Sequence, residues 1–367
     1  MKKKLVLLLL PLMLLTSCVI EPKLYFIDMM VIGYDDMHTE IQLNYINSDN
    51  YEDTTPYSGN LSKSAPNPIS FSWNTSEKVD KYKIYISKDE GFKDALVYEM
   101  NEPYFDFYNA LYDTTYYYMI ESDNIYTSDY FTTGELNGPR NLYIDGVENV
   151  RDLAFKGKIK QGYIYRSGRF NEEKVEEVTP SITELGLKQI KELNIKTEID
   201  LRRTSTNEVG ALSDTSVLGD DVNYIQLPMA FGGNNILTFT GTLRGDDYQY
   251  NNPQEIKKFF DILADENNYP IDFHCSIGKD RTGCLAYLLE GLLGIEEEYL
   301  MRDYMFTNFA NAGYCKPEDI NTRYVKTLKD YEVGEALQEK IYNYLSSENI
   351  GVSSANLDKI IEILKDY

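Results

Sequence analysis

The stretch HCSIGKDRTG, residues 274–283, contains residue types at a spacing that suits nucleophilic chemistry. Cys275 is followed by Gly278, then by Arg281 and Thr282. A cysteine thiolate is a strong nucleophile, and an arginine guanidinium binds two phosphate oxygens through parallel N–H groups. The Thr282 hydroxyl is placed to donate to the sulfur when sulfur becomes the leaving group. The stretch therefore indicates attack on a phosphoryl group by Cys275, with Arg281 binding the phosphate.

The residues on either side predict the strand and the helix that position this stretch. YPIDFHC (269–275) is typical of a strand, and RTGCLAYLLEGLLG (281–294) of a largely apolar, buried helix. Open α/β sheets bind ligands at the carboxyl ends of their strands. Gly278 permits a turn in which backbone N–H groups form an anion-binding nest beside the positive end of the helix. Such surroundings lower a cysteine pKa from about 8.5 to about 3.5–7.5; a structural cysteine at an ordinary turn is the alternative.

The turn between the cysteine and the arginine is the predicted phosphate site. It comprises Ser276, Ile277, Gly278, Lys279, Asp280 and Arg281. His274 supports the site but is not a general base for Cys275, because adjacent residues of a strand point to opposite faces. Together with Cys284 these two residues lack the spacing of metal ligands. We therefore expect no metal and no cofactor.

The length of 367 residues predicts two domains, and the second has an alternating pattern. Segments with helix and strand patterns follow one another after residue 139: helix 182–194, strand 195–201, strand 222–229 and helix 254–265. This alternation predicts an α/β domain at 140–367 with a central, mostly parallel sheet and a helical C-terminal part.

The full H-C-x5-R-[ST] pattern resembles that of the cysteine-dependent protein tyrosine phosphatases. Its GKDRTG form is similar to the branch of bacterial secreted tyrosine and dual-specificity phosphatases, which have Lys-Asp inside the loop. The resemblance covers about residues 140–367, through segments 148–170, 195–208, 299–308 and 351–364. The chain departs from the family at Ala154-Phe155, where Gly-Gly is usual, and at Asp272, where the strand is commonly apolar.

The resemblance implies a two-step, metal-independent hydrolysis of phosphomonoesters. Cys275 would form a phosphocysteine, and water would then release phosphate while Arg281 and the loop amides stabilise both transition states. The family histidine at the position of His274 holds the loop by hydrogen bonding. The general acid stays open between three residues, Asp280 inside the loop and Asp246 or Asp247 in a segment where related enzymes carry a mobile acid.

Other arginines and cysteines near these motifs are expected to be structural. Arg151 and Arg166 fall in this group, and Arg202 is expected to pair with Glu208 at the edge of the site. Cys284 lies in the apolar helix as a core thiol. No role is assigned to Cys315.

Short aromatic runs with alternating side chains predict a β-sandwich before the α/β domain. The runs are ISFSWN, KYKIYIS, YFDFY, TTYYYMIES and SDYFTT. Their order, with Trp73 in an early strand, resembles a fibronectin type III module over residues 66–134. The whole sandwich region is predicted at 25–134, including one further alternating segment, EIQLNYI, with a linker at 135–139. We expect a spacer, or a module that binds an unknown ligand.

The N-terminus resembles a bacterial lipoprotein signal. MKKK precedes the apolar run LVLLLLPLMLL, which is too short for a bilayer span of roughly 20 apolar residues. LTSC ending at Cys18 resembles a lipobox, which implies removal of residues 1–17, lipid attachment to Cys18 and a tether at 18–24. Plain secretion with an incidental cysteine is the alternative. We therefore expect a lipid-anchored, extracytoplasmic protein of a bacterial cell envelope.

The formal net charge of −23 limits the partners of the chain. An acidic surface repels phosphate backbones, so nucleic acid is not an expected partner. A phosphorylated substrate remains compatible, because its site needs only a local positive field. Three functions stay open: a phosphatase for phosphoproteins, one for phosphoinositides or inositol phosphates, which Lys279 would favour, and a non-catalytic surface binding protein.

Overall fold

The computed structural model describes residues 24–57, 61–123, 125–171, 182–202, 215–229, 252–310, 315–320 and 333–366. Cys18, Glu208, Asp246 and Asp247 lie outside these ranges. Within the ranges, no helix has both the length and the apolar character needed to cross a bilayer.

Two antiparallel sheets form the N-terminal part. Their strands are β1 (Phe26–Ile32), β2 (Ile69–Thr75), β3 (Tyr82–Ser87), β4 (Leu96–Met100), β5 (Tyr104–Phe107), β6 (Thr115–Ser122) and β7 (Ile125–Thr132). One sheet has the order β1-β2-β5 and the other β4-β3-β6-β7. All five aromatic runs form strands, as predicted. Strands β1 and β4 lie at sheet edges and bury few side chains, so their sequences carry no clear alternation.

One aromatic core joins the two sheets. Phe71 of β2 contacts Tyr118 of β6 and Phe131 of β7, with ring centroids 5.2 and 5.8 Å apart. Trp73 packs edge-on against Tyr82 at 5.3 Å. Because side chains alternate along a strand, one face of each sheet supplies these rings and the other faces outward. Edge-to-face aromatic pairs add to the stabilisation that burial provides.

A six-stranded sheet forms the centre of the C-terminal part. Its strands are β8 (Arg140–Asn141), β9 (Arg151–Asp152), β10 (Ile164–Ser167), β11 (Thr197–Asp200), β12 (Asn223–Gln226) and β13 (Ile271–His274). Their order is β12-β11-β13-β10-β9-β8. The first four run parallel, whereas β9 and β8 are added antiparallel. The sheet is therefore mixed. Three of its parallel strands, β11, β12 and β13, are ones that the sequence pattern predicts, whereas β10 was not predicted.

Helices pack on both faces of this sheet. The described α-helices are α1 (Glu40–Ile46), α2 (Leu61–Ser64), α3 (Glu184–Glu192), α4 (Pro253–Leu263), α5 (Asp280–Leu292), α6 (Glu297–Phe306), α7 (Pro317–Ile320), α8 (Leu337–Ser346) and α9 (Ser354–Leu364). Ile271 and Phe273 of β13 face the large core that includes α4 and α5. On the opposite face, Tyr165 of β10 packs with Ile190 of α3. Helix α5 is buried from Arg281 to its end, as its apolar sequence predicts.

The prediction that EIQLNYI belongs to the β-sandwich as an alternating segment is wrong. EIQLNYI alternates like a strand, yet it is helical from Glu40 to Ile46. The Thr39 side chain accepts a hydrogen bond from the Gln42 backbone, and the Gln42 side chain accepts one from the Thr39 backbone. This capping box satisfies N–H groups that a helix start leaves without partners. The buried residues, Gln42 and Tyr45, are three apart, which is helical spacing.

Helix α1 packs on the α/β domain. The Tyr45 ring is fully buried against Phe306 and Phe309, with centroids 5.4 and 5.3 Å away. Arg302 of α6 donates a hydrogen bond to the Tyr45 carbonyl oxygen at 3.0 Å. A segment N-terminal to most of the first two sheets thus completes the core of the second domain.

We predict that Tyr45→Ala destabilises the α/β domain by about 3–5 kcal/mol, the usual cost of deleting a buried aromatic ring. Far-ultraviolet circular dichroism, recorded during unfolding in urea, measures this change. Ile41→Ala, on the exposed side of the same helix, is the control and should change stability by less than about 0.5 kcal/mol. Equal midpoints for Tyr45→Ala and the wild type would contradict the packing of α1.

Candidate active site

Cys275 directly follows β13, at the end where the parallel strands finish. Its thiol is buried, with 2% of its surface exposed. Burial opposes ionisation, but the charge of Arg281 and the neighbouring Thr282 hydroxyl and backbone N–H outweigh it. The pKa of Cys275 is therefore lowered from its ordinary value. The site favours a thiolate, the nucleophilic form.

The loop after Cys275 is held from outside by its carbonyl groups. Three consecutive carbonyl oxygens accept hydrogen bonds from donors on other segments of the domain. The bonds run from the Arg169 backbone N–H to Ser276 at 3.2 Å, from Asn149 Nδ2 to Ile277 at 3.1 Å and from Arg166 Nη2 to Gly278 at 2.7 Å. In a trans peptide the N–H points away from the C=O. The amides of residues 277–279 therefore turn to the inner side of the loop, where they form a nest for an anion.

Gly278 is required by this loop. Its φ is +68°, in the left-handed region that glycine adopts without strain. A Cβ atom at this position would lie 2.5 Å from the Ser167 carbonyl oxygen and 2.9 Å from Asn149 Nδ2. Both neighbours are fixed parts of the fold, so the close approach of the loop to β10 excludes a side chain.

A buried charge cluster fixes the Arg166 anchor. Asp303 of α6 accepts a hydrogen bond from Arg151 Nε at 2.8 Å and pairs with Arg166 Nη1. Burial alone would raise the pKa of Asp303, but the two guanidinium groups hold it below its ordinary value. The carboxylate therefore stays charged and orients Arg166 toward the Gly278 carbonyl.

Arg281 completes the positive side of the site. It lies in the first turn of α5 and is only 3% exposed. Its Nη1 donates to the Leu201 carbonyl oxygen at 3.0 Å, which orients the guanidinium at the end of the neighbouring strand β11. Thiolate, inward amides, helix N-terminus and arginine thus surround one position, as attack on a phosphoryl group requires.

Comparison with known proteins assigns this loop to a family. A profile described as the tyrosine phosphatase family matches residues 142–366. The chain belongs to the tyrosine phosphatase family. The match covers five of the six strands of the sheet, the loop and the C-terminal helices, as the sequence resemblance predicts.

Individual relatives of this phosphatase are distant. A Cupriavidus necator protein named as a tyrosine-protein phosphatase is 22% identical over an alignment of 204 residues, which covers 49% of this chain and 67% of that protein. The core catalytic domain of the PP-IP phosphatase SIW14 from S. cerevisiae is 16% identical, with a TM-score of 0.28, and the alignment covers 48% of this chain and 93% of that chain. P. aeruginosa TpbA is 15% identical with a TM-score of 0.29, over 53% and 89% of the chains. The family assignment rests on the profile match.

His274 of the phosphatase supports the loop as a cation. One ring nitrogen lies 2.9 Å from Glu198 Oε1, and the other lies 3.2 Å from the Cys275 carbonyl oxygen. Both neighbours are acceptors, so only the doubly protonated ring satisfies both. Burial opposes this charge, but Asp200 and Glu198 outweigh burial and raise the pKa of His274 to about 9.

We predict that Glu198→Gln lowers the pKa of His274 toward the ordinary value of about 6.5, because the ring loses an anionic acceptor. NMR titration of the two histidines measures it, with His38 as the internal control. The raised pKa in the fold stabilises the charged form. The free energy of unfolding of the wild type should therefore exceed that of His274→Gln by its largest amount below about pH 6.5. This difference should decline as the pH rises through about 9. A His274 pKa unchanged by Glu198→Gln would contradict this account.

Asp272 occupies the strand position that is commonly apolar in the family. It lies on the same face of β13 as His274 and is fully buried. Ser167 Oγ donates to Asp272 Oδ1 at 2.9 Å. Burial raises the pKa of Asp272 to about 7, so the group carries less than a full charge at neutral pH. The sheet thus tolerates the acid beneath the loop by hydrogen bonding and by partial protonation.

Of the three candidate general acids, the structure describes one. Asp280 is half-buried at the first position of α5, next to Lys279, and its charge opposes ionisation of Cys275. Asp246 and Asp247 lie outside the described residues. Across the described ranges, no group of three His, Cys, Asp or Glu side chains is arranged to hold a metal ion.

The remaining predicted residues are structural. Cys284 and Cys315 are buried thiols, and burial raises the pKa of Cys315 to about 12, which suits packing better than nucleophilic attack. Arg202 pairs with Asp200, through Nε to Oδ1 at 2.8 Å. The expected pairing with Glu208 concerns a residue outside the described ranges.

Three residues that hold the loop were not identified from the sequence as its anchors. Asn149 and Asp303 lie in the N-x-R-D-L and R-D-Y-M-F-T-N segments, which resemble the family but carry no visible link to residues 276–278. Arg169 donates through its backbone N–H, which no residue type signals. The available signal was the co-occurrence of these segments with the loop in one domain.

Proposed function

We propose that this chain is a phosphomonoester hydrolase that forms a phosphocysteine on Cys275 and needs no metal ion. The observation that carries the proposal is the loop after a buried thiol of lowered pKa, in which three consecutive carbonyls accept hydrogen bonds from outside the loop. Membership of the tyrosine phosphatase family supports it. Cys275, Arg281 and Thr282 are all present, which argues against a fold that only binds phosphorylated ligands.

In the first step, Cys275 Sγ forms a bond to phosphorus while the bond from phosphorus to the ester oxygen breaks. The departing oxygen takes a proton from the general acid and leaves as an alcohol or phenol. In the second step, water attacks phosphorus and gives a proton to the carboxylate left by the first step, while the P–S bond breaks. The products are inorganic phosphate and the Cys275 thiolate, which Thr282 stabilises as a leaving group. Arg281 and the inward amides neutralise the equatorial oxygens in both steps.

We predict that Cys275→Ser lowers the rate of hydrolysis of 4-nitrophenyl phosphate on the order of 10⁴-fold or more. The reason is that the serine hydroxyl does not ionise to replace the thiolate nucleophile. Excess chelator should leave wild-type activity unchanged. Release of 4-nitrophenol measures both effects, and Cys284→Ser, which changes a core thiol, is the matched control. Activity that survives Cys275→Ser, or is lost with chelator, would refute the mechanism.

The substrate is proposed to be a phosphorylated protein, with phosphotyrosine as the first candidate. Phosphoinositides or inositol phosphates are the second candidate, because Lys279 adds a cation within the loop itself. A panel of phosphotyrosine peptides, phosphoinositides and inositol phosphates, compared by kcat/KM, separates the two. Lys279→Met should reduce kcat/KM more for a polyphosphorylated inositol than for a phosphopeptide.

For the general acid we propose Asp280. Asp280→Asn should slow phenyl phosphate, whose leaving group needs a proton, by about 10²-fold or more, and slow 2,4-dinitrophenyl phosphate much less. The rate with the activated ester is the internal control for loop geometry. If Asp246→Asn with Asp247→Asn produces this pattern and Asp280→Asn does not, the acid lies in the 230–251 segment.

The location and the N-terminal module complete the proposal. The signal-like N-terminus and Cys18 support a lipid anchor on the outer side of a bacterial membrane. The two N-terminal sheets, with one shared aromatic core, support a β-sandwich of the fibronectin type III kind. Such a sandwich would set the distance between the catalytic domain and the membrane, or would bind a ligand of its own.

A further inference from the structure

A cavity of about 570 Å³ lies between the N-terminal segment and the α/β domain, and its lining includes none of residues 275–281. Helix α1 contributes Leu43 and Ile46 to one wall, and helices α5 and α6 contribute Glu290 and Phe306 to another. Its volume falls within the roughly 300–1,000 Å³ that is usual for small-molecule sites. The proposed reaction uses none of these residues.

Glu290, near the end of α5, is a buried carboxyl group in the wall of this cavity. Only 6% of its surface is exposed, and its Oε2 atom accepts no hydrogen bond from any described residue. Buried carboxyl oxygens normally have a partner, because an unsatisfied one costs about 1–3 kcal/mol or more. A group of this kind is therefore suited to a partner that the chain itself does not supply.

The other charged groups of the lining already have partners within the chain. The pairs are Asp303 with Arg151 and Arg166, Asp152 with Arg140, Asp36 with His38, Arg302 with Glu298, and Lys156 with Glu135. Glu290 thus differs from every other acid in the lining.

The surroundings of Glu290 disfavour an uncompensated carboxylate. Burial and the charge of Asp303 raise the pKa of Glu290 well above its ordinary value, although Arg166 and Arg151 act in the opposite direction. A buried carboxylate is unfavourable unless a positive charge or a hydrogen-bond donor compensates it. A proton supplies that charge when the cavity is empty, and an ammonium group would supply it together with hydrogen bonds.

The walls around Glu290 are largely apolar. They include Leu153, Phe155, Ile295 and Phe306 in addition to the two α1 residues. An apolar body of a ligand would gain about 25 cal/mol for each Å² that it removes from water there. Anionic ligands are disfavoured, because the lining holds four carboxyl groups and two cationic ones, and the whole chain carries −23.

We propose that this cavity is a binding site for a small amphiphilic amine, whose ammonium group hydrogen-bonds to Glu290 and whose apolar part packs between α1 and α6. The site is separate from the phosphate site and does not depend on the proposed hydrolysis. The N-terminal segment forms part of it, so the site exists only in a chain that contains both α1 and the α/β domain.

Calorimetry with n-hexylamine, 1-hexanol and n-hexanoate at 0.15 M salt tests the proposal on the purified full chain. Hexylamine should bind with one saturable site, hexanol at least tenfold more weakly, and hexanoate not at all. Glu290→Gln should weaken hexylamine at least tenfold and leave hexanol unchanged. Glu192→Gln, which alters a partly buried acid at another cavity, is the matched control and should bind like the wild type.

A second variant keeps the test decisive if Glu290→Gln fails to fold. Leu43→Trp fills the cavity from α1 and leaves Glu290 unchanged, so it should abolish binding of both hexylamine and hexanol. Three results would each overturn the proposal: no saturable hexylamine binding by the wild type, equal affinity for hexylamine and hexanol, or hexylamine binding that survives Leu43→Trp.

Discussion

The orientation of three peptide groups is the constraint on which the rest of the catalytic domain depends. A loop can direct its N–H groups at an anion only if its carbonyls have acceptor roles elsewhere, because the two groups of a peptide point in opposite directions. Here Asn149, Arg166 and the Arg169 amide donate hydrogen bonds to those carbonyls. The sheet order matters because it brings β10, which carries Arg166, directly beside β13.

Buried charge is the energetic cost of this arrangement. Asp303 holds two guanidinium groups in the core, and His274 is held as a cation between Glu198 and a carbonyl. Isolated buried charges are unfavourable by several kcal/mol, and pairing offsets that cost without making the pair a large source of stability. What the pairs provide is direction: each one fixes a donor or a ring that holds the ends of the loop.

The sequence predicted the strand, the loop and the helix around Cys275 and Arg281, because these depend on local order: an alternating strand, a glycine turn and an apolar helix. It predicted neither the partners of the loop carbonyls nor the helical form of EIQLNYI. The first are set by contacts more than 100 residues apart, such as Asn149 with Ile277. The second is decided by Thr39 and Gln42, whose capping bonds outweigh an apolar alternation.

Neighbouring residues of α6 serve both halves of the molecule. Arg302 holds the backbone of α1, and Asp303 holds the arginine that anchors the catalytic loop. The boundary between the two regions is therefore not a site at which parts can be exchanged. A different N-terminal module fused before residue 140 would lack the ring of Tyr45 and leave Arg302 without its carbonyl acceptors. In evolution, the two regions are expected to have changed together along this helix rather than to have been shuffled independently.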